Sequence, residues 1–234
     1  MTRARIAVLA SGGGSNLQAI IDHLSNLGER RAGTVVLVAS DRPDAGALAR
    51  ARAEHIRGAM IISHHAPLGD ELEALIERHS INLVALAGYL QLVPPVVVRR
   101  LAGRVINVHP APLPAYGGPG MYGARVHRAV LASGIEFTGP TVHFVNEKYD
   151  QGAVIAHWPV PVLPDDDEHA LAARVLRAEH LLYPRVVQAV AAGDVVLHDD
   201  GQVVPPFFRS PIPGFRPEWD DSSLGNMLDA ESAT

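Results

Sequence analysis

Asn107 and His109, two residues apart in I-N-V-H-P-A-P-L-P, are side chains suited by type and spacing to acyl chemistry. Val105 to Val108 predicts a short buried strand stopped by Pro110, because proline has no N–H for a ladder. Side chains alternate along a strand, so the amide and the imidazole would leave its end by one face. An amide placed there hydrogen-bonds a developing oxyanion while an imidazole gives or takes a proton. Asp150 follows a second strand-like run, Thr141 to Val145, and would supply a carboxylate that raises the imidazole pKa. His143, seven residues before it, fits a supporting role or a core position and ranks below these three. A strand end capped by polar residues carries the same Asn-x-His pattern, so the pair alone decides nothing.

A second chemical motif is the glycine-rich turn Ser11-Gly12-Gly13-Gly14-Ser15-Asn16. Small residues let backbone approach an anion, and a following helix offers oriented N–H donors. A P-loop needs a lysine that this turn lacks. A dinucleotide fingerprint begins at Gly12 and Gly14, but Leu17 occupies the third glycine position; Asp41, at the end of the next strand, keeps that reading open. A single phosphate fits the turn better, and a tight turn with no ligand is the remaining alternative. Twelve histidines raise the question of a metal. There is no H-E-x-x-H, and the adjacent His64 and His65 would point apart on a strand, so no metal site is expected.

These groups must be positioned by alternating strands and helices. Strand-like runs span Ile6 to Ala10, Thr34 to Ala39, Ala59 to Ile62, Leu83 to Ala87 and Val105 to Val108. Helical spacing covers Asn16 to Leu27, Ala45 to His55, Leu68 to His79, a short helix opened by Pro94, and Ala124 to Ser133. Continuous apolar strands alternating with helices predict an α/β fold, a Rossmann-like, mostly parallel sheet covered on both faces. Thr141 to Val145 and Val154 to Pro159 predict a C-terminal antiparallel extension, and a long helix over Glu168 to Ala192 completes the core. A hairpin is expected around Asp199-Asp200-Gly201. Residues 1–204 are thus expected to form one catalytic domain. From Pro205 the proline-rich P-P-F-F-R-S-P-I-P-G-F-R-P-E-W predicts a surface strap, with disorder from Ser222 to Thr234.

Bulk properties narrow the function. A net charge of −5 argues against a nucleic-acid footprint, which needs a basic stripe. The chain has no cysteine, so disulfides and thiolate catalysis are excluded. No run reaches the roughly 20 apolar residues of a membrane span, and none resembles a signal peptide, so a cytoplasmic location is expected.

The succession S-G-G-G-S-N-L-Q-A-I-I-D, A-G-Y-L, I-N-V-H-P, T-V-H-F-V, Y-D-Q-G and A-E-H-L-L-Y-P closely resembles the glycinamide ribonucleotide transformylase family of purine biosynthesis. The resemblance runs collinearly from about Arg5 to His198. It implies the formyltransferase fold and transfer of a formyl group from 10-formyltetrahydrofolate, a co-substrate, to the glycyl amine of a phosphoribosyl acceptor. It implies Asn107, His109 and Asp150 as the catalytic set. It carries the phosphoribosyl group to Gly14, Ser15 and Asn16, with Arg177 and Glu179 also on the acceptor. The folate pocket would be formed by Leu90, Gln91, Leu92 and Val93, by Asn107, and by the facing loop Asn146, Glu147, Lys148, Tyr149 and Asp150. No metal, nucleic acid or membrane partner is implied, and the protein would be a monomer or homodimer. Three positions depart from relatives: Ala111 and Pro112 follow His109-Pro110 where H-P-S-L-L-P is common, and Pro119 stands where one branch has lysine. A formyltetrahydrofolate hydrolase would use the same three residues with water as acceptor. A non-catalytic nucleotide-binding module would keep the glycine turn alone.

Overall fold

The computed structural model describes residues 3–61, 68–204, 212 and 214–232. His64, His65, Ile62 and most of the proline-rich segment lie outside the described residues. Five parallel strands form the centre: β1 (Ala4–Leu9), β2 (Gly33–Ser40), β3 (Arg57–Met60), β4 (Leu83–Leu86) and β5 (Val105–His109). Two further strands, β7 (Thr141–Phe144) and β8 (Val154–His157), add antiparallel beside β5, so the sheet order is β3-β2-β1-β4-β5-β7-β8. Two-stranded pairs join β6 (Phe137–Thr138) to β9 (Val160–Pro161) and β10 (Val196–Leu197) to β11 (Val203–Val204). The second pair is the hairpin expected around Gly201.

Helices cover both faces because the central strands are apolar on both. On one face, α1 (Ser15–Asn26) buries Leu17, Ile20, Ile21 and Leu24, an i, i+3, i+4, i+7 stripe. It shares a core with α2 (Gly46–Ala53), α5 (Ala124–Ser133) and the 25-residue α6 (Glu168–Ala192). On the other face, α3 (Leu68–Arg78) and α4 (Pro95–Arg100) pack Leu72, Ile76, Val97 and Val98 against Leu9, Leu37 and Val84. Pro95, not Pro94, is the first helical residue of α4; Pro94 precedes it as the cap. Asp167 caps α6 by accepting from the N–H groups of His169 and Ala170, and Tyr183 anchors the middle of the helix. The buried Tyr183 hydroxyl donates to the Leu86 carbonyl at 2.9 Å, with the Ile106 carbonyl 3.2 Å away, so α6 is tied to β4 and β5.

The expected disorder after Ser222 is corrected by the structure. Asp221–Ser232 forms α7, which buries Leu224 and Leu228 completely against the α6 face. Leu224, Met227 and Leu228 stand at i, i+3, i+4, a short apolar stripe masked in composition by the polar residues around it. Arg185 pairs with Asp229 at 2.7 Å and Arg177 pairs with Asp221, which holds the helix from both ends. Among the described residues, no helix is long and apolar enough to cross a membrane.

Candidate active site

Strand order reverses between β1 and β4, and ligands in open α/β sheets bind beyond the strand ends at such a point. A cavity of about 450 Å³ lies there, lined by Asn16 after β1, by Leu86 and Gly88 to Val93 after β4, and by Asn107 to Pro110 at the end of β5. Its other walls are Gly118 to Gly123, His143, Val145, Lys148 to Asp150 and Glu179.

The geometry of the expected catalytic residues begins with strand register. β5 and β7 run antiparallel with Asn107 opposite His143 and His109 opposite Thr141. His143 is 2% exposed, and its Nδ1 donates to the Phe144 carbonyl at 2.8 Å. That bond leaves Nε2 of the neutral ring as an acceptor, and the Asn107 amide donates to it at 3.1 Å. The Asn107 side chain is therefore held with one N–H on His143 and its second N–H unassigned. His109 Nε2 donates to the Tyr116 carbonyl at 2.8 Å, which places the lone pair of neutral His109 on Nδ1. Nδ1 lies 3.7 Å from Asp150 Oδ2, while Asp150 Oδ1 lies 3.6 Å from His143 Nε2. One carboxylate thus stands between two buried imidazoles.

Asp150 is held there by its backbone and by the loop opposite. Its φ of 54° is left-handed, a conformation costly for a residue with a side chain and worth about 1 kcal/mol or more. The Gly118 N–H donates to Oδ2 at 2.9 Å. Gly152 lets the turn close, since a Cβ there would stand 1.7 Å from the Phe144 carbonyl oxygen. Burial pushes the Asp150 pKa up, but His143, the Gly118 N–H and His109 outweigh it and hold the carboxyl below its ordinary value. For His109 the expectation of a raised pKa is corrected. Burial, helped by the neighbouring His143, lowers it more than Asp150 and the Tyr116 carbonyl bond can offset, so the resting ring is biased to the neutral form.

Of the residues expected to contact the acceptor, Asn16 and Glu179 meet. Asn16 Nδ2 donates to Glu179 Oε2 at 2.6 Å, and both line the cavity. Burial pushes the Glu179 carboxyl up to about 7, only partly opposed by that bond. Asn16 Oδ1 is buried and has no partner among the described residues. Arg177 does not join them. It stands two residues before Glu179, about 200° away around the helix, and faces the C-terminal segment. Its guanidinium bonds Asp221 and the carbonyls of Pro217 and Trp219, and lies over the Phe215 ring. Gly14 and Ser15 lie beside the cavity and not in its wall. Gly14 is needed for helix packing, because a Cβ would stand 2.7 Å from the Ala47 backbone.

Of the residues expected to form the folate pocket, Leu90, Gln91, Leu92 and Val93 line the cavity with Asn107, Lys148, Tyr149 and Asp150, but Asn146 and Glu147 do not. Asn146 shapes the turn, accepting from the Lys148 N–H at 3.0 Å and donating to the Gln151 carbonyl at 2.9 Å. Glu147 pairs with Arg99 at 2.6 Å. Pro119 lines the cavity, and the fully buried Ala111 offers its carbonyl to Thr141 Oγ1 at 2.8 Å. Asp41, which kept the dinucleotide reading open, is occupied by Ser11 at 2.6 Å and Gln91 at 3.3 Å. Tyr116 and Gly118 act through backbone atoms, so no side-chain pattern announced them. Among the described residues, no group of three or more histidines and carboxylates is arranged to hold a metal ion.

Residues 4–187 match the formyl transferase family. The phosphoribosylglycinamide formyltransferase of Escherichia coli (strain K12) is 40% identical over 210 residues, 86% of this chain and 96% of that protein. The chloroplastic phosphoribosylglycinamide formyltransferase of Arabidopsis thaliana is 40% identical over 204 residues, 85% of this chain and 69% of that protein. Glycinamide ribonucleotide transformylase 1 from Symbiobacterium toebii superposes with a TM-score of 0.78 at 35% identity, covering 86% of this chain and 93% of that one.

Proposed function

The chain belongs to the formyl transferase family, and we propose that it transfers the formyl group of 10-formyltetrahydrofolate to the glycyl amine of phosphoribosylglycinamide. The observation that carries this reading is the convergence of Asn107, His109 and Asp150 on one cavity at the sheet's switch point. The acceptor amine attacks the formyl carbon. The second N–H of Asn107, oriented because His143 holds the first, receives the tetrahedral oxyanion. His109 Nδ1 takes the proton released as the amine becomes an amide, and returns it to N10 as the folate leaves. Asp150, 3.7 Å away, stabilises the imidazolium formed between these two events.

The acceptor lies against Asn16 and Glu179, whose unpaired amide oxygen and carboxylate suit donors such as ribose hydroxyls. Its phosphate is assigned to the Gly12 to Asn16 turn, where Gly12 and Gly13 have open space in place of a Cβ and α1 begins. The pteridine is assigned to the Leu90–Val93 wall, with the Lys148–Asp150 loop facing it. Engagement of Asp41 by Ser11 and Gln91 argues against a dinucleotide.

The test is formyl transfer from 10-formyltetrahydrofolate with and without phosphoribosylglycinamide, beside a His109→Ala control. Turnover that requires the acceptor and falls by about 100-fold or more in the variant supports the reading. Folate consumption indifferent to acceptor would assign a hydrolase instead.

A further inference from the structure

The hydrogen bonds that hold the donor-side wall converge on a carboxylate that does not itself touch the cavity. Ser11, 3% exposed at the end of β1, donates its hydroxyl to Asp41 Oδ1 at 2.6 Å. The Ser11 hydroxyl oxygen in turn accepts the Leu90 N–H at 3.0 Å, and the Ser11 N–H donates to the Gly88 carbonyl at 3.0 Å. Gln91 Nε2 donates to the second carboxylate oxygen, Asp41 Oδ2, at 3.3 Å. Asp41 follows β2, Ser11 opens the glycine-rich turn, and Leu90 and Gln91 begin the wall after β4. Three strand ends are tied through one side chain.

The chemistry gives the carboxylate a particular task. An ionised carboxylate only accepts, so it fixes the Ser11 proton toward itself and leaves the Ser11 lone pairs to the Leu90 N–H. Without it, the hydroxyl can rotate and present a proton where Leu90 needs an acceptor. Gln91 loses its bond to Asp41 at the same time.

We propose that Asp41 is a positioning residue for the formyl donor, acting through Ser11, Leu90 and Gln91 to keep the Leu90–Val93 wall in register with the glycine-rich turn. This rests on the donor being a folate bound at that wall. The consequence is selective: losing Asp41 weakens the donor and spares the acceptor, whose contacts lie on Asn16, on Glu179 and on a glycine-rich turn held separately by the Ala47 N–H on the Gly12 carbonyl and by Arg50 on the Gly13 carbonyl.

The test measures tetrahydrofolate binding, both KM values and thermal melting for the full chain and for Asp41→Ala, Asp41→Asn, Ser11→Ala and the Asp41→Ala/Ser11→Ala double variant. Asp41→Ala is expected to weaken tetrahydrofolate and raise the donor KM by about 10-fold or more, the range for losing a charge-assisted hydrogen bond. The acceptor KM and kcat should stay within about threefold. Asp41→Asn should restore donor affinity to within about threefold, because its amide oxygen still accepts from Ser11 and Gln91 can turn its own oxygen to the new amide. The double variant should be no worse than the poorer single one, since both break one chain of bonds. Unchanged donor affinity in Asp41→Ala, an equal loss for both substrates, or a loss that follows the melting temperature and is not rescued by Asp41→Asn overturns the proposal while leaving the transferase reading intact. Failure of the wild-type chain to bind tetrahydrofolate overturns both.

Discussion

His109 stands under two opposing influences. Burial disfavours its charged form, while Asp150 favours it, and burial is the larger. A base that must be neutral to receive a proton is therefore ready below its ordinary pKa of about 6.5. The acid limb of kcat/KM is expected with its midpoint under pH 6.5. Asp150→Asn removes the influence that raises His109, so the limb moves further down while turnover falls by about 100-fold or more. A pH–rate profile of both proteins checks this; an upward shift or unchanged turnover removes Asp150 from the proton path. Asn107 and His109 were legible as residue types at a strand end, and Asp150 as a carboxylate beyond the next strand-like run, although it lies in the turn between β7 and β8. His143 was legible only as a supporting or core residue; its bond to Asn107 was not, because it follows from the β5–β7 register, a pairing between residues 36 apart.

At the scale of elements, α6 does more than cover the sheet. One face brings Glu179 to the cavity and Tyr183 to the carbonyls of β4 and β5, while the other receives α7 through Arg177 and Arg185. Arg177→Ala is expected to leave the acceptor KM within about threefold, yet to cost about 1–3 kcal/mol of stability, since it frees the part-buried Pro217 and Trp219 carbonyls and Asp221. Leu224→Ala should cost about 2–5 kcal/mol by opening a cavity under α7. Steady-state kinetics beside urea unfolding separates the two effects; a large rise in acceptor KM in Arg177→Ala would return that residue to the substrate. The long helix was legible from its spacing. The face Arg177 would take was hidden because the partner that claims it comes 40 residues later and reads as a polar tail.

For the molecule as a whole, one buried and one half-buried group make stability depend on pH in opposite directions. Burial raises the Glu179 pKa from 4.5 to about 7, so its contribution is fully present below pH 4.5 and is lost as pH rises through about 7. Glu179→Gln is expected to be more stable than the wild type at pH 8 by on the order of 2–3 kcal/mol, with little difference near pH 4.5. It should also bind the acceptor more weakly. Burial and the neighbouring Arg185 lower the His23 pKa from 6.5 to about 4, against the opposing pull of Asp229. Its contribution is present above pH 6.5 and lost as pH falls toward 4, so His23→Gln should flatten the acid side of the profile. Thermal melting from pH 4 to 8 reads both; a Glu179→Gln variant no more stable at pH 8 would mean that the carboxyl is not buried as a charge.

The amino-acid sequence by itself determined the doubly covered sheet, because continuous apolar strands have no other way to bury both faces and α1 declares its buried stripe by period. It also determined that one strand end would carry an amide and an imidazole. Tertiary structure alone decided that burial outweighs Asp150 at His109 and that Asp41 serves the pocket wall. It alone decided that Arg177 belongs to α7 and that the polar tail folds. The division has one physical cause. Periodicity and turn chemistry are local, whereas desolvation, register and the choice between hydrogen-bonding partners depend on segments that meet only when the chain is folded.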